Sequence, residues 1–419
     1  MNRLFGTGRR LQNGAGRRLQ NGAGALAGAV KAGKALAGAA KAGKRLAGAA
    51  KAGFALTGSV IGAGFISGAE LVRFFPSQGF LPYIAAAALL FFGCFFLLFE
   101  CGRRYGGFAG TVQAVFGRRA ALVRAAVLAG SFVTCGSMLA GLAALAGEGF
   151  GLGAWRYLVS LAGVLLVFAL AHAGMRGLFA VNLVLVPAIL LFLAFYAAVP
   201  GAEAYVRQPA QADAFGGMVR VLLYVSMNVF LAAPVACDAG AACGGRGTGG
   251  AGCALAAGLV GFGAAVVLAN IAAAGDALYA EMPFLRAVGA GGAAGVVFAA
   301  VSACGIFTTL IASYYPLHNL FGGKKRAPLG RALLCACMFL FSLFGLTHIV
   351  RFVYPLIGGA GLAFLAACAF SLRRSFFDEQ FFRQRDKRVH ARRQHAQDHR
   401  RRHHKVEAEH LPAVDDKVA

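Results

Sequence analysis

The sequence predicts an all-α membrane protein of about ten transmembrane helices. Of the 419 residues, 59% are hydrophobic and only 14% are charged, which is too few charges to cover the surface of a soluble domain. The apolar residues also form continuous runs of about 20, the length that crosses a bilayer as a helix. Glycine accounts for 59 residues, and in a membrane it allows helices to approach one another closely.

Three regions divide the chain. Residues 1–53 carry 11 Lys and Arg and no acid, within Gly- and Ala-rich repeats. We expect a disordered basic arm near anionic lipid, although a sequence duplication without a role explains the repeats equally well. Residues 54–371 form the predicted transmembrane domain. Residues 372–419, with 13 Lys and Arg, 8 Asp and Glu and six His, predict a charged His/Arg-rich cytoplasmic tail.

The predicted membrane spans are ten. They cover residues 54–75, 81–100, 121–146, 155–172, 177–199, 215–237, 251–275, 291–317, 330–348 and 350–371. With both termini inside, the inside loops hold eleven Lys and Arg and the outside segments six, which fits the positive-inside rule. We therefore expect a multi-pass protein of the cell (inner) membrane, with both termini cytoplasmic and the lipid bilayer as its surroundings.

The first span is rich in glycine at its centre. Gly58, Gly62, Gly64 and Gly68 permit a break at mid-membrane, and the backbone groups freed by such a break bind ions and substrates in transporters. A packing seam of the GxxxG type fits the same spacing equally well. Glycine spacing alone therefore leaves both interpretations open.

The sixth span offers a second candidate break. Ser226, Asn228 and Pro234 interrupt an apolar run there. The first and sixth spans occupy corresponding places in a five-plus-five inverted repeat, and paired interruptions of this kind indicate a transporter site. This correspondence favours broken helices 1 and 6 over the packing seam.

Two further groups of side chains are candidates for function. Thr308 and Thr309 bring hydroxyls into the eighth span, where they either bond back to their own turn or complete an oxygen shell for a small hard cation. Glu70 is an intramembrane acid and so a functional candidate. Pairing with Arg73 or Arg351, as a structural or gating ion pair, is the interpretation we favour for it.

Four strings in the chain resemble one membrane-protein family. VIGAGFISGAELVRFF (60–75) is similar to the first-helix signature of the YkvI-like membrane proteins, and AEMPFL (280–285), GIFTTLIASYY (305–315) and VYPLIGGAGL (353–362) resemble that family's strings in the same order. The family is similar to the amino acid/polyamine/organocation transporter superfamily. The resemblance covers about residues 54–371 and implies a LeuT-like five-plus-five fold. Ala69 departs from it, because the family often has Gln there.

The resemblance also implies site residues. A LeuT-like sodium site would use the backbone carbonyls of Gly58 and Ile61 with the hydroxyls of Thr308 and Thr309. The residues that would line the substrate site are Gly62, Ala63, Gly64, Ser226 and Asn228. The fifth span has no lysine to replace sodium, which favours sodium coupling.

The predicted function is cation-coupled uptake, with sodium favoured, of an amino acid or a similar small organic solute. The alternative is a non-transporting membrane sensor or scaffold that acts through its charged tails. No Ser-His-Asp order, HExxH motif, Walker loop or carboxylate pair at catalytic spacing occurs, so we expect no enzyme activity. We expect no cofactor other than a sodium ion and no nucleic-acid partner.

Overall fold

The computed structural model describes residues 41–76, 79–173, 178–197, 213–243, 245–289, 292–321 and 327–375, and every regular element in these ranges is helical. The helices are α1 (41–60), α2 (Ala63–Ser67), α3 (Ala69–Phe74), α4 (Leu81–Tyr105), α5 (Phe108–Phe116), α6 (Ala120–Ala144), α7 (Arg156–Ala173), α8 (Leu178–Ala197), α9 (Ala214–Leu231), α10 (Ala233–Ala242), α11 (Arg246–Ala273), α12 (Pro283–Val288), α13 (Ala293–Asn319), α14 (Ala327–Ser342) and α15 (Leu346–Ser375). Each of the predicted spans contains at least one of them.

Six of these helices are long and apolar enough to cross a membrane. Three shorter apolar helices lie within α7, α8 and α14. The chain is therefore a multi-pass helical membrane protein, as predicted, whereas the exact number of ten crossings and the sidedness of the termini stay predictions. The chain divides after Leu365 into two units, and the site described below lies entirely in the first.

The first span is broken, as predicted, but it begins earlier than the sequence indicated. The helix already includes residue 41, where the described part of the chain begins, and Ala49 and Ala52 are buried. Residues 41–53 are thus helical, and the small side chains of Ala49 and Ala52 allow this helix to approach Gly252 of α11 closely. Residues 1–40 of the predicted arm and 376–419 of the tail lie outside the described residues.

The sixth span is interrupted one turn later than predicted. α9 runs without a break through Ser226 and Asn228, and the interruption is the single residue Ala232 between α9 and α10. The physical reason is Pro234, which is favoured in the first turn of a helix and so starts α10. The predicted unwinding at Ser226–Asn228 is wrong.

Close backbone contact with α4 fixes the position of α10, the second half of the sixth span. α4 packs against α10 and α11, and α6 packs against α13. Gly102 of α4 lies against the backbone of Cys237, and Gly240 of α10 lies against the backbone of Phe99. Because neither glycine has a side chain, the two helices touch at their backbones, and this contact fixes α10 beside the break of the first span.

Candidate functional site

The break between α1 and α2 centres on Ile61 and Gly62. The Ile61 amide still donates to the Thr57 carbonyl at 2.9 Å, but the Gly62 amide donates to Val60 O at 2.9 Å. In a continuous helix the Gly62 amide would donate to Gly58 O, four residues back. The Gly58 carbonyl therefore loses its helical donor at this point, as the prediction of a break requires.

A second turn follows the five-residue helix α2. Gly68 has φ 82° and ψ −7°, a left-handed conformation that glycine adopts without strain. Ser67 Oγ donates to Gly64 O at 3.2 Å and accepts from the Ala69 amide at 3.3 Å, which supports the turn. The chain direction changes here, and Glu70, in the first turn of α3, is directed back over Gly64.

The carboxyl group of Glu70 occupies the space that a side chain at position 64 would need. Glu70 is 4% exposed, and its Oε2 is buried without a hydrogen-bond partner in the described part of the chain. An acidic side chain in this state is a candidate for binding a positive group, because unpaired burial of a carboxylate costs several kcal/mol.

A cavity of about 500 Å³ reaches the break. Its walls come from α1, α3, α5, α6, α9, α10, α13 and α15. The polar and charged side chains among its lining residues are Lys51, Ser59, Glu70, Arg124, Ser131, Thr134, Asn228, Thr309, Ser313 and Tyr354. Lys51 and Arg124 are exposed and mark its mouth, whereas Gly62 and Glu70 are buried and mark its inner end.

Two of the predicted sodium ligands line this cavity. These ligands are Gly58 and Thr309. Thr309 contacts the break, because a Cβ placed on Gly62 would lie 3.7 Å from Thr309 Cγ2. Ile61 is 2% exposed and lies behind the cavity wall. The side chain of Thr308 lies outside the described residues. The sodium site therefore stays a prediction.

The predicted substrate residues divide into two groups. Gly62 and Asn228 line the cavity, and Asn228 Nδ2 donates to Tyr224 O at 3.0 Å. Ala63 and Gly64 are buried and are not part of its lining, although Gly64 makes room for Glu70.

Ser226, the remaining predicted substrate residue, faces away from the cavity. Its Oγ donates to Gly358 O of α15 at 2.7 Å. Because α9 is continuous at this position, the side chain points to a neighbouring helix instead of to a break. The substrate role of Ser226 stays a prediction.

The predicted ion pair of Glu70 is not formed. Arg73 and Arg351 are both exposed, and the Arg351 guanidinium lies 5.4 Å from the centre of the Phe352 ring. Neither arginine makes an ion pair with Glu70 within the described ranges. Both residues lie in α3, but the Glu70 side chain points back along the chain into the space beside Gly64, whereas Arg73 is exposed.

The structure adds a residue that sequence reasoning missed. Tyr354 lines the cavity, and its hydroxyl donates to Ser137 Oγ of α6 at 2.7 Å. It lies in the VYPLIGGAGL string, which was the only signal for it. This hydrogen bond joins α15 to α6 beside the break.

A second missed feature is a cluster that we call the outer latch, made of Glu148, Arg156, Glu281 and Met282. Glu148 accepts from the amides of Glu281 and Met282 at 2.7 and 2.9 Å, and Arg156 pairs with Glu281 at 3.1 Å. α6 carries Arg124 near its start, at the cavity mouth, and Glu148 just beyond its end. The outer latch therefore lies at the opposite end of α6 from the cavity mouth.

Comparison with solved structures identifies the fold. The inward-facing conformation of Mhp1 matches with a TM-score of 0.56 at 14% identity, over 77% of this chain and 75% of that one. A manganese transporter of Eremococcus coleocola matches with a TM-score of 0.40 at 12% identity, over 80% and 73% of the two chains. Closed Mhp1 with bromovinylhydantoin bound, described as a nucleobase-cation-symport-1 family transporter, matches with a TM-score of 0.37 at 14% identity, over 77% and 74%.

No protein-family model matches the chain, and no curated protein matches it in sequence. The YkvI-like resemblance therefore stays a prediction, as does the five-plus-five repeat. The similarity to inward-facing Mhp1 shows that the chain has a LeuT-like transmembrane fold.

Proposed function

We propose that this protein is a secondary active transporter that takes up an amino acid or a similar small organic solute, coupled to a cation, with sodium favoured. The observation that carries the proposal is the cavity of about 500 Å³ that ends at the break of the first span. This volume falls within the range of about 300–1,000 Å³ that small-molecule sites occupy. A break at the end of a cavity gives a solute access to backbone groups that a continuous helix would keep for itself.

The exposed cations of the cavity lining mark one end of the cavity, which suits alternating access. Its mouth carries Lys51 and Arg124, on the side that the charge distribution predicts to be cytoplasmic. The outer latch joins α6 to the segment before α12 on the other side. We interpret this arrangement as an inward-facing state, in which a solute exchanges with the cytoplasm.

The proposed sodium site consists of Gly58 O, Ile61 O and the hydroxyls of Thr308 and Thr309. Sodium needs several oxygen ligands to replace its hydration shell, and carbonyls freed at a break supply them without a carboxylate. The loss of the helical donor at Gly58 and the contact of Thr309 with the break support this set. A sensor or scaffold would need neither the break nor the cavity, so we favour transport over that alternative.

A stabilisation screen tests the proposal. Thermal unfolding of the purified protein would be measured with the twenty common amino acids, in sodium chloride and in choline chloride, and a ligand of the folded state raises the apparent stability. The hits would then be assayed as labelled solutes for uptake into proteoliposomes under an inward sodium gradient. We expect stabilisation and uptake to require sodium.

Thr309→Val, with Thr134→Val as its matched control, tests the sodium site. Both threonines line the cavity, but the Thr134 hydroxyl is already bonded to Gly130 O at 2.9 Å in its own helix. We expect Thr309→Val to lose sodium-dependent stabilisation while Thr134→Val keeps it. Uptake that ignores sodium and follows a proton gradient would overturn the sodium assignment, and the absence of any solute-dependent stabilisation or uptake would overturn the transport proposal.

A further inference from the structure

Glu70 has no role in the sodium site proposed above, yet it is the buried acid of the cavity. It is 4% exposed, it lines the cavity, and its Oε2 has no hydrogen-bond partner among the described residues. Taking a carboxylate out of water is costly unless a positive group or several donors compensate for the lost hydration. The structure thus holds an acceptor without its partner at the inner end of a solute-sized cavity.

Two glycines, Gly64 and Gly68, allow the backbone to hold Glu70 in this position. Gly68 forms the left-handed turn between α2 and α3, and the missing side chain of Gly64 leaves the space that the carboxyl group occupies. A Cβ on Gly68 would collide with the Ile271 side chain, so this turn is also packed from outside. Glu70 is therefore held at the break by the fold, as a preorganised binding group would be.

The basic side chains of the cavity are far from Glu70. Lys51 precedes Val60, the last residue of α1, by nine residues, which is about 13 Å along the helix at 1.5 Å per residue. Arg124 precedes Met138, which contacts Gly62, by fourteen residues of α6, or about 21 Å. Neither cation pairs with Glu70, and both are exposed at the mouth.

Two tyrosines lie in the part of the fold that holds Glu70. Tyr354 lines the same cavity as Glu70, and the buried Tyr224 hydroxyl has no hydrogen-bond partner among the described residues. The Tyr354 hydroxyl donates a hydrogen bond to Ser137 Oγ, so its oxygen remains able to accept another hydrogen bond. The Tyr224 ring packs against Phe74 and Phe75 with ring centres 5.5 and 5.3 Å apart. An ammonium group has three donors and a positive charge, which suits a carboxylate, a phenol oxygen and nearby aromatic rings.

We infer that Glu70 binds the ammonium group of the transported solute. The inference rests on the proposed function, in that it takes the cavity to be the solute site, and it narrows the solute to amines and amino acids with a free amino group. A solute with a carboxylate alone would be repelled by Glu70. A solute with a blocked amino group would leave the buried carboxylate unpaired.

The experiment measures binding without transport. Thermal unfolding of the purified full-length protein in detergent with sodium chloride would be recorded with the twenty amino acids, with their methyl esters, which keep the ammonium, and with their N-acetyl derivatives, which keep only the carboxylate. We expect some free amino acids or methyl esters to stabilise the protein and their N-acetyl counterparts not to do so. The same series would be run on Glu70→Gln and on Asp213→Asn, a control that removes an exposed carboxylate outside the cavity and keeps a side chain that can cap α9.

Glu70→Gln keeps the size of the side chain and removes its charge. We expect the affinity for the stabilising amine to fall by about thirtyfold or more, because one partner of a buried charge pair is lost. The ligand-free variant should be at least as stable as the parent, since no buried partner is abandoned. Gly64→Ala, which keeps the charge but displaces the carboxyl group, should also weaken binding, whereas Asp213→Asn should bind as the parent does.

Three results would overturn the inference: stabilisation by N-acetyl derivatives as strong as by the amines, unchanged amine affinity in Glu70→Gln, or no stabilising amine in the panel. Loss of the sodium effect alone in Glu70→Gln would also overturn it, by assigning Glu70 to the sodium ion. The proposed transport and the ammonium site can be refuted independently of each other. Glu70-dependent amine binding without sodium-driven uptake would refute the proposed transport and leave the ammonium site standing.

Discussion

Replacing Gly102 with alanine should weaken the contact between α4 and α10. A Cβ built on Gly102 overlaps the carbonyl oxygen of Cys237 and lies 2.5 Å from its Cα, whereas ordinary contact begins at 3.4 Å. The helices would have to separate by about 1 Å, and a gap of that size forfeits a quarter to a half of each affected dispersion contact. Because the neighbour is backbone, it cannot rotate away, so the change falls at the upper end of the range for overpacking, about 1–3 kcal/mol.

Gly93 of the same helix offers a matched control. A Cβ at Gly93 meets nothing within 4 Å, so Gly93→Ala should be neutral or stabilising by at most about 1 kcal/mol through helix propensity. The same propensity offsets part of the loss at Gly102, which leaves a net destabilisation of about 1–2 kcal/mol. Thermal unfolding of the two purified variants, followed by the loss of monodisperse protein on size exclusion, measures the difference.

The contact also has a functional consequence that can be measured. α10 contributes Pro234 and Val235 to the cavity, so a displaced α10 should lower solute affinity in Gly102→Ala and leave it unchanged in Gly93→Ala. Equal stability of the two variants would refute the reasoning that backbone contact positions the second half of the sixth span.

Three other variants test the remaining contacts. Ser226→Ala removes the donor to Gly358 O and should cost about 1–3 kcal/mol in thermal stability; a loss of solute affinity without a loss of stability would show instead that Ser226 acts in the substrate site. Glu148→Gln removes one of the two charge-assisted hydrogen bonds that Glu148 accepts in the outer latch, each worth about 1.5–3 kcal/mol. The labelling rate of a cysteine placed at Leu285 should then rise by tenfold or more. An unchanged rate would show that the outer latch does not hold the outer side closed. Glu100→Gln removes the buried carboxylate that Arg103 and Arg246 share and should lower thermal stability by about 1–3 kcal/mol; unaltered stability would mean that the two ion pairs contribute nothing net.

The helical class and the approximate positions of the helices could be predicted from the sequence. Apolar runs of membrane length specify a helix because the bilayer leaves backbone groups no other partners, so this prediction needs no tertiary information. The break of the first span could be predicted only from its four glycines together with the interruption in the sixth span, because the glycine spacing alone fits a packing seam equally well. At the sixth span, Pro234 was visible in the sequence as a helix breaker, but its usual place in the first turn of a helix means that the interruption lies at Ala232 and not at Ser226–Asn228.

The direction of individual side chains was decided only by the tertiary structure. Helical spacing put Glu70 three residues before Arg73, which suggested an ion pair, but the fold leaves space beside Gly64 that the Glu70 carboxyl fills, while Arg73 is exposed. Ser226 had the chemistry of a substrate ligand, but the approach of α15 gives its hydroxyl a backbone carbonyl instead. A sequence specifies which groups can bond, whereas the choice among partners far apart in the chain depends on where the fold brings them, because a hydrogen bond or ion pair forms only within a few ångströms.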